Sequence, residues 1–403
     1  MAEAAENWEK VDREIPIVDE TQDALARQKD VEGIVESPDV LEYRKMVSNK
    51  SQDILQAKNL PDKGETVFWQ NEAIADKEAD DPSNPTFSLL SWNIEWGKKL
   101  DGQVDYLKTV NPDILCLQEA DWGCKRSGDK NTALEMAQRL GYKYIAYTTE
   151  FVEVDGTKEE FPDSLRGTKK GGVFGIGEGG GVHGQAILSK YPITDMSSIR
   201  LHKLSQDWEE GSTIDARREP RTGQRVCQKM KIQIGDKDIT VYNAHLEDKQ
   251  GGETGRMAQY DQLANDAEKE GASIIVGDMN TVSHGLGRAP VIKAGNRGDF
   301  FVNALKKPFQ HASEVWRKAE FSDSKDSKTK AKLEDGIPED MLRQKTFLDP
   351  DTTTNTVKFP YGLYKGKLDW TLLEKDKFEI KRHEPGPAGL SDHRSLLVEA
   401  KIL

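Results

Sequence analysis

A domain built on mixed β-sheets, of the α/β or α+β class, is what residues 86–403 of this chain predict. Apolar runs of strand length recur along the segment, whereas only three or four stretches carry helical periodicity. The stretch "VCQKMKIQIGDKDITVYNAHLED" reads as a hairpin, two period-2 strands turning at Gly235-Asp236. A hairpin and a surplus of strands over helices fit a mixed sheet better than a purely parallel, doubly wound one.

The elements follow in order. The first 85 residues are highly charged and poor in aromatics. Within them "SPDVLEYRKMVSNKSQDIL" starts like a helix, with Ser37 as N-cap, Pro38 at the first position and Asp39 in the first turn. Val40, Val47, Ile54 and Leu55 then fall near one face. One or two marginal helices in an otherwise mobile tail are expected, ending at the turn-rich "DDPSNP" of 80–85. Next come the strand-like "TFSLLSWNIEW", a short helix through Val104, Leu107 and Val110 stopped by "NPD", and the apolar run "DILCLQEA". "NTALEMAQRLGY" reads as a helix closed by Gly141, and "KYIAYTTEFVEV" as a strand. The Gly-rich 171–181 lacks the lysine and Ser/Thr of a P-loop and reads as a loop at the rim of a site. "QAILSKYPI", the basic loop "DARREPRTGQR", the hairpin, a helix near 255–270 and "ASIIVGDMN" follow. A solvated insertion at 320–345 precedes "GKLDWTLL" and the closing "GLSDHRSLLVEAKIL".

Composition narrows the class. Hydrophobic residues make up 36% and charged residues 32%, and no run of 18 apolar residues offers a membrane span. The acidic N-terminus lacks the basic start and apolar stretch of a signal peptide. Cys116, Cys124 and Cys227 make neither a zinc spacing nor a disulfide framework, so a reducing compartment, cytosol or nucleus, is expected. The net charge of −13 is uneven: 21 acidic against 10 basic residues in 1–85 account for −11, which leaves −2 over 86–403. A near-neutral domain makes no global electrostatic case for nucleic acid and does not exclude it.

One pattern recurs at the strand ends. "LLSWNIEW" carries Asn93 and Glu95, "DILCLQEA" ends in Gln118-Glu119, and "ITVYNAHLE" holds Asn243 and His245 on one face. "SIIVGDMN" ends in Asp278 and Asn280, "GKLDW" contains Asp369, and "GLSDHRSLL" opens with Asp392-His393. Each alone is an ordinary turn residue or surface acid. Six such strands together indicate one shared polar centre, because polar groups at buried strand mouths are costly unless paired or bound to an ion.

The ordered set "WNIE", "LQEAD", "HGQAILSKYPI", "NAHLE", "VGDMNT", "KLDW" and "SDHRSL" resembles the endonuclease/exonuclease/phosphatase superfamily, the DNase-I-like metal-dependent phosphohydrolases. The likeness runs from about residue 86 to 403, leaving 1–85 as an acidic extension. It implies a four-layered αββα sandwich of two mixed sheets and a phosphoesterase using Mg²⁺ or Mn²⁺. It also implies roles. Glu119 is the first metal ligand, with Asn93 and Asp392 near the ion. Asp278 positions or deprotonates the attacking water, and Asn280 hydrogen-bonds the phosphoryl group. His393 donates to a phosphate oxygen or moves a proton, and Asp369 accepts from its other nitrogen. His245 matches phosphodiesterases and phosphatases better than abasic-site nucleases.

Arg221 and Arg225 are candidate phosphate contacts, since a guanidinium suits phosphate, against the reading as a solvated basic loop. His183 and Asn243 are candidate substrate-lining residues, and His284 a weaker one. The expected partner is a phosphate ester, in a nucleic acid, a lipid headgroup or a small metabolite. The competing class is a non-catalytic binding protein whose acidic tail recruits a partner.

Overall fold

The computed structural model describes residues 8–19, 38–155, 178–202, 220–247, 252–280, 347–348, 357–358, 365–366 and 368–403. In chain order they form β1 (Trp8–Val11), β2 (Ile17–Asp19), α1 (Pro38–Lys58), β3 (Thr66–Asn71), β4 (Thr86–Asn93), α2 (Leu100–Val110), β5 (Ile114–Trp122), α3 (Thr132–Leu140) and β6 (Tyr144–Glu153). There follow β7 (Gly181–Ser189), β8 (Ile193–Arg200), β9 (Arg221–Gly223), β10 (Val226–Ile234), β11 (Lys237–His245), α4 (Gly252–Ala267) and β12 (Ser273–Asp278). The last are β13 (Phe347–Leu348), β14 (Val357–Lys358), β15 (Lys365–Gly366), β16 (Asp369–Glu374), β17 (Phe378–Pro385) and β18 (Leu396–Ile402).

Strand alternation sorts the apolar residues into layers. Along β4, Phe87 and Leu89 point one way and Leu90 and Trp92 the other; along β12, Ile274 and Val276 oppose Ile275. The first set packs sheet against sheet in a core that includes Cys116, Ile187, Val241 and Leu373. On the far side of one sheet, Leu90, Trp92, Leu115 and Leu117 meet Val104 and Leu107 of α2 and Met136 of α3. On the far side of the other, Tyr242, Ile275 and Trp370 meet Tyr260 and Leu263 of α4. The result is the four-layered αββα sandwich.

Among the described residues one sheet runs β1-β3-β6-β7-β5-β4-β18-β17, with β9 on β6, and the other runs β13-β16-β12-β11-β10-β8-β2; β14 and β15 pair separately. Both are mixed, with β4–β5 and β11–β12 parallel. The helix expected from "NTALEMAQRLGY" sits where its capping chemistry puts it. Asn131 accepts from the Leu134 amide to start α3, and Gly141 (φ 72) closes it. The Cys116 thiol is buried in the intersheet core.

The expected tail needs correction. β3 pairs with β6 inside the nine-stranded sheet, Val67 and Trp69 join its outer core, and β1 pairs with β3. β2 pairs with β8 of the other sheet. α1 buries Tyr43 and Val47 against Val154, and its Ser51 hydroxyl lies 2.9 Å from that of Thr222 in β9. The boundary at 85 was read from the turn-rich 80–85 and the charged composition before it, whereas apolar residues at 43, 47, 67, 68 and 69 decide what docks. The insertion at 320–345, His284 and most of the Gly-rich 171–181 lie outside the described residues.

Between the apolar intersheet core and the mouth lies a buried polar belt. Gln118 Nε2 donates to Asn243 Oδ1 (2.7 Å), and Asn243 Nδ2 donates to Gln228 Oε1 (3.0 Å) and to the carbonyls of Leu117 and Ala186. Gln228 Nε2 continues to Thr148 Oγ1 at 3.0 Å. This network ties the two sheets together one layer beneath the site and uses the side-chain amide donors of Gln118, Gln228 and Asn243, while Gln118 Oε1 has no partner among the described residues.

Candidate active site

Beyond the belt, the inner-face positions become ionisable. Asn93 continues the Phe87–Leu89–Ser91 row, Asp278 the Ile274–Val276 row, His245 the Val241–Asn243 row and Asp369 the Leu373–Thr371 row. Glu119 does not belong to its row by alternation, because Leu115 and Leu117 face the helices. A register shift between Leu117 and Ala120 interrupts the β5–β7 ladder there, and Glu119 takes a left-handed backbone (φ 55). This bulge turns its carboxylate to the Asn93 side. Positive φ also occurs at Glu95, Trp96 and Asn280, so non-glycine strain gathers around the mouth.

Asn93 Nδ2 links the two sheets, donating to Glu119 Oε1 at 2.9 Å and to Asp278 Oδ2 at 3.2 Å. Asp278 Oδ2 also lies 3.6 Å from His245 Nε2 and 3.6 Å from His393 Nε2. His393 Nδ1 is 2.8 Å from Asp369 Oδ2. The "SDH" turn is locked by Ser391, whose hydroxyl donates to the Asn93 carbonyl (2.7 Å) and accepts from the His393 amide. Trp92 Nε1 donates to the His393 carbonyl.

The electrostatics divide the groups by role. Burial raises the Asp278 carboxyl, helped by the neighbouring Asp369 and opposed by His393, and leaves it pushed up to about 7. Burial alone would depress His393, but the charges of Asp369 and Asp278 outweigh it and hold the ring protonated well above the ordinary histidine range. His245 goes the other way: burial, then the positive charges of Arg225 and other neighbours, keep it neutral. Glu119 is raised by desolvation and by nearby Asp392, against the favourable influence of His183 and the Asn93 hydrogen bond. Buried Asp278 and the crowded Glu119 and Asp392 thus hold more negative charge than the protein balances. That is the donor chemistry a divalent cation fits. Among the described residues, ligand atoms of Asp278, Asp369 and His393 also lie within 4.8 Å of one another. In that trio the 2.8 Å contact already occupies His393 Nδ1 and one oxygen of Asp369.

Asn93, Glu119, His245, Asp278, Asp369 and His393 therefore converge, with Asp392 exposed at the rim. Three expectations change. Asn243 is fully buried and its amide is consumed by the belt, so it is not a substrate contact. Asn280 was placed on the Asp278 face by extending the strand, but β12 ends at Asp278. The Asn280 amide N–H instead donates to Asp278 Oδ1 at 2.9 Å and its side chain to the Leu246 carbonyl. Arg221 and Arg225 are not a solvated loop: they pack on Phe151 (4.8 and 5.2 Å to the ring), with Arg221 3.0 Å from Glu153 and Arg225 3.3 Å from Glu150.

Missed altogether was the Asp121–Arg126 pair. Arg126 reaches both Asp121 oxygens at 2.7 and 2.9 Å, and the same carboxylate holds His183 Nδ1 at 2.9 Å. The signal was present in "LQEADWGCKR", where a second acid follows Glu119 by two positions.

Residues 90–393 match the model of the Endonuclease/Exonuclease/phosphatase family, and the chain belongs to that family. Its layered sandwich is the DNase-I-like one that the motifs predicted. No curated protein matches the chain. Among solved structures it is similar to an endonuclease/exonuclease/phosphatase from Beutenbergia cavernae (13% identity, 79% of this chain and 72% of that one, TM-score 0.48). It is also similar to the human Nocturnin catalytic domain with bound sulfate (17%, 82% and 97%, TM-score 0.41). A third is truncated Caenorhabditis elegans TDP2 (16%, 79% and 98%, TM-score 0.40). Among the described residues no helix is long and apolar enough to cross a membrane.

Proposed function

We propose that the chain is a Mg²⁺- or Mn²⁺-dependent phosphoesterase of the phosphodiesterase or nuclease type. One observation carries the reading: a single carboxylate oxygen, Asp278 Oδ2, is held by Asn93 and flanked by two imidazole nitrogens of opposite charge state. A carboxylate poised near neutrality is suited to accept the proton of an attacking water. Protonated His393, oriented by Asp369, supplies a charged donor to a phosphoryl oxygen or leaving group. Neutral His245 offers a second hydrogen bond without adding charge. A divalent cation, held by Glu119 with Asn93 and Asp392 beside it, would polarise the phosphoryl oxygens.

Charge favours a diester over a monoester. Glu119, Asp278, Asp369 and Asp392 face the mouth with one imidazolium among them, and the arginines on the His245 flank are matched by Glu150 and Glu153. A monoanionic diester enters such a site with less repulsion than a dianionic monoester.

The test compares bis-p-nitrophenyl phosphate, p-nitrophenyl phosphate, single-stranded DNA and RNA, each with EDTA, Mg²⁺ or Mn²⁺. Diester hydrolysis should need the metal and fall at least about 10³-fold in Asp278→Asn. Equal rates in wild type and variant would remove the enzymatic reading and favour the binding-protein class.

A further inference from the structure

We propose that His183 is a metal ligand beside Glu119, and that the centre it completes is a mixed nitrogen–oxygen one that takes Mn²⁺ in preference to Mg²⁺. The inference rests on the phosphoesterase reading above and adds a ligand and a metal preference to it.

His183 on β7 stands directly opposite Asp121 on β5, and the two side chains meet at 2.9 Å. Asp121 is fixed in turn by the two-point contact from Arg126, whose side chain is 6% exposed. A carboxylate at Nδ1 places the proton there, which in the neutral ring leaves the Nε2 lone pair as the working atom. The ring is 2% exposed, and Nε2 has no hydrogen-bond partner among the described residues. A ring fixed this firmly at Nδ1 by Asp121 has its Nε2 available to a group outside the protein.

What stands next to it is Glu119. The bulge that turns Glu119 inward lies across the ladder from Gly184, the residue after His183. Gly184 has no room for a Cβ, which would fall 2.0 Å from the Thr148 carbonyl oxygen. The close approach of β6, β7 and β5 thus sets His183 and Glu119 as neighbours on the inner face. A histidine whose far nitrogen is held by a carboxylate is the usual geometry of a metal-bound imidazole.

The two aspartate–histidine pairs of the cleft differ in their counter-charges. At His393 two carboxylates face one ring. At His183 the carboxylate is already balanced by Arg126. The first arrangement makes a proton donor and the second leaves a ligand. Imidazole suits Mn²⁺ and later metals better than Mg²⁺, which keeps to oxygen.

The experiment uses the full chain and two readouts: calorimetric titration with Mn²⁺ and with Mg²⁺, and pulsed electron paramagnetic resonance of the Mn²⁺ complex for ¹⁴N coupling. Wild type should show the coupling. His183→Ala should lose it and bind Mn²⁺ about 10- to 100-fold more weakly, with Mg²⁺ affinity changed by no more than about threefold. His183→Asn keeps a donor for Asp121 but has no ring nitrogen, and should lose the coupling without a change in melting temperature under EDTA. If Glu119→Gln weakens Mn²⁺ while both His183 variants bind and couple as wild type does, the ligand assignment is overturned and the phosphoesterase reading stands. If wild type binds neither metal, both fall.

Discussion

His393 Nδ1 lies 2.8 Å from Asp369 Oδ2, and the pair joins the final turn of the chain to β16 of the opposite sheet. The contact fixes which nitrogen of His393 faces Asp278 and holds the ring protonated. Asp369→Asn removes the charge but keeps the shape. We expect kcat for the diester to fall about 10- to 100-fold with KM little changed, and the protonation of His393, followed by NMR, to shift toward lower pH. An unchanged histidine titration would show that the ring does not depend on this acid.

Asp278 makes activity and stability run in opposite directions with pH. As the base it must be ionised, so kcat/KM should rise as pH climbs through about 7. Its folded pKa stands above the unfolded value of 3.8, so its ionisation costs stability: the cost is absent below about 4, grows up to about 7 and is constant above. The shift, in which the favourable charge of His393 is already included, corresponds to roughly 4 kcal/mol at most. Asp278→Asn should therefore melt at a higher temperature than wild type at pH 8 in EDTA, and at nearly the same temperature at pH 4. A variant less stable at pH 8 would contradict the assignment.

How much of this was legible beforehand follows from the range over which each feature is encoded. The strands, α2, α3 and the ring of polar residues at the mouth were legible because each is written within about ten residues, as an apolar run with a polar end or a capped amphipathic stretch. The orientation of Glu119 was not, since plain alternation puts it on the helix side and only the bulge beside Gly184 reverses it. Asn280 was misplaced by the converse error, extending a strand past its end. Asn243 has the composition of a site residue and the same facing as His245, and two residues of depth along β11 separate a belt amide from a catalytic imidazole. Arg221 and Arg225 could not be decided between phosphate contact and solvated loop, because their partners, Glu153 and Glu150, lie some 70 positions away on β6.

The belt assignment of Asn243 is directly testable. Asn243→Ala strands Gln118 and Gln228, each of which loses a buried partner. The expected loss is about 2–4 kcal/mol of unfolding free energy, read by urea denaturation, with KM for the diester unchanged in the folded fraction. A raised KM with unchanged stability would return Asn243 to the list of substrate contacts.

The N-terminal segment makes the last prediction. If 1–85 were an independent tail, its removal would leave the remaining sandwich intact. Instead β3 covers the edge of β6, and Trp69 packs at a tilt on Trp122 at the end of β5, with ring centroids 5.4 Å apart. A chain beginning at residue 86 should expose the β6 backbone and an apolar face, and aggregate on expression. Trp69→Ala in the full chain isolates the packing contribution from the strand itself. It should cost about 3 kcal/mol of stability while leaving kcat within about twofold, because Trp69 joins the outer core beneath α3 and not the cleft. A soluble, fully active chain starting at 86 would show that β3 is dispensable and that the domain is complete without it.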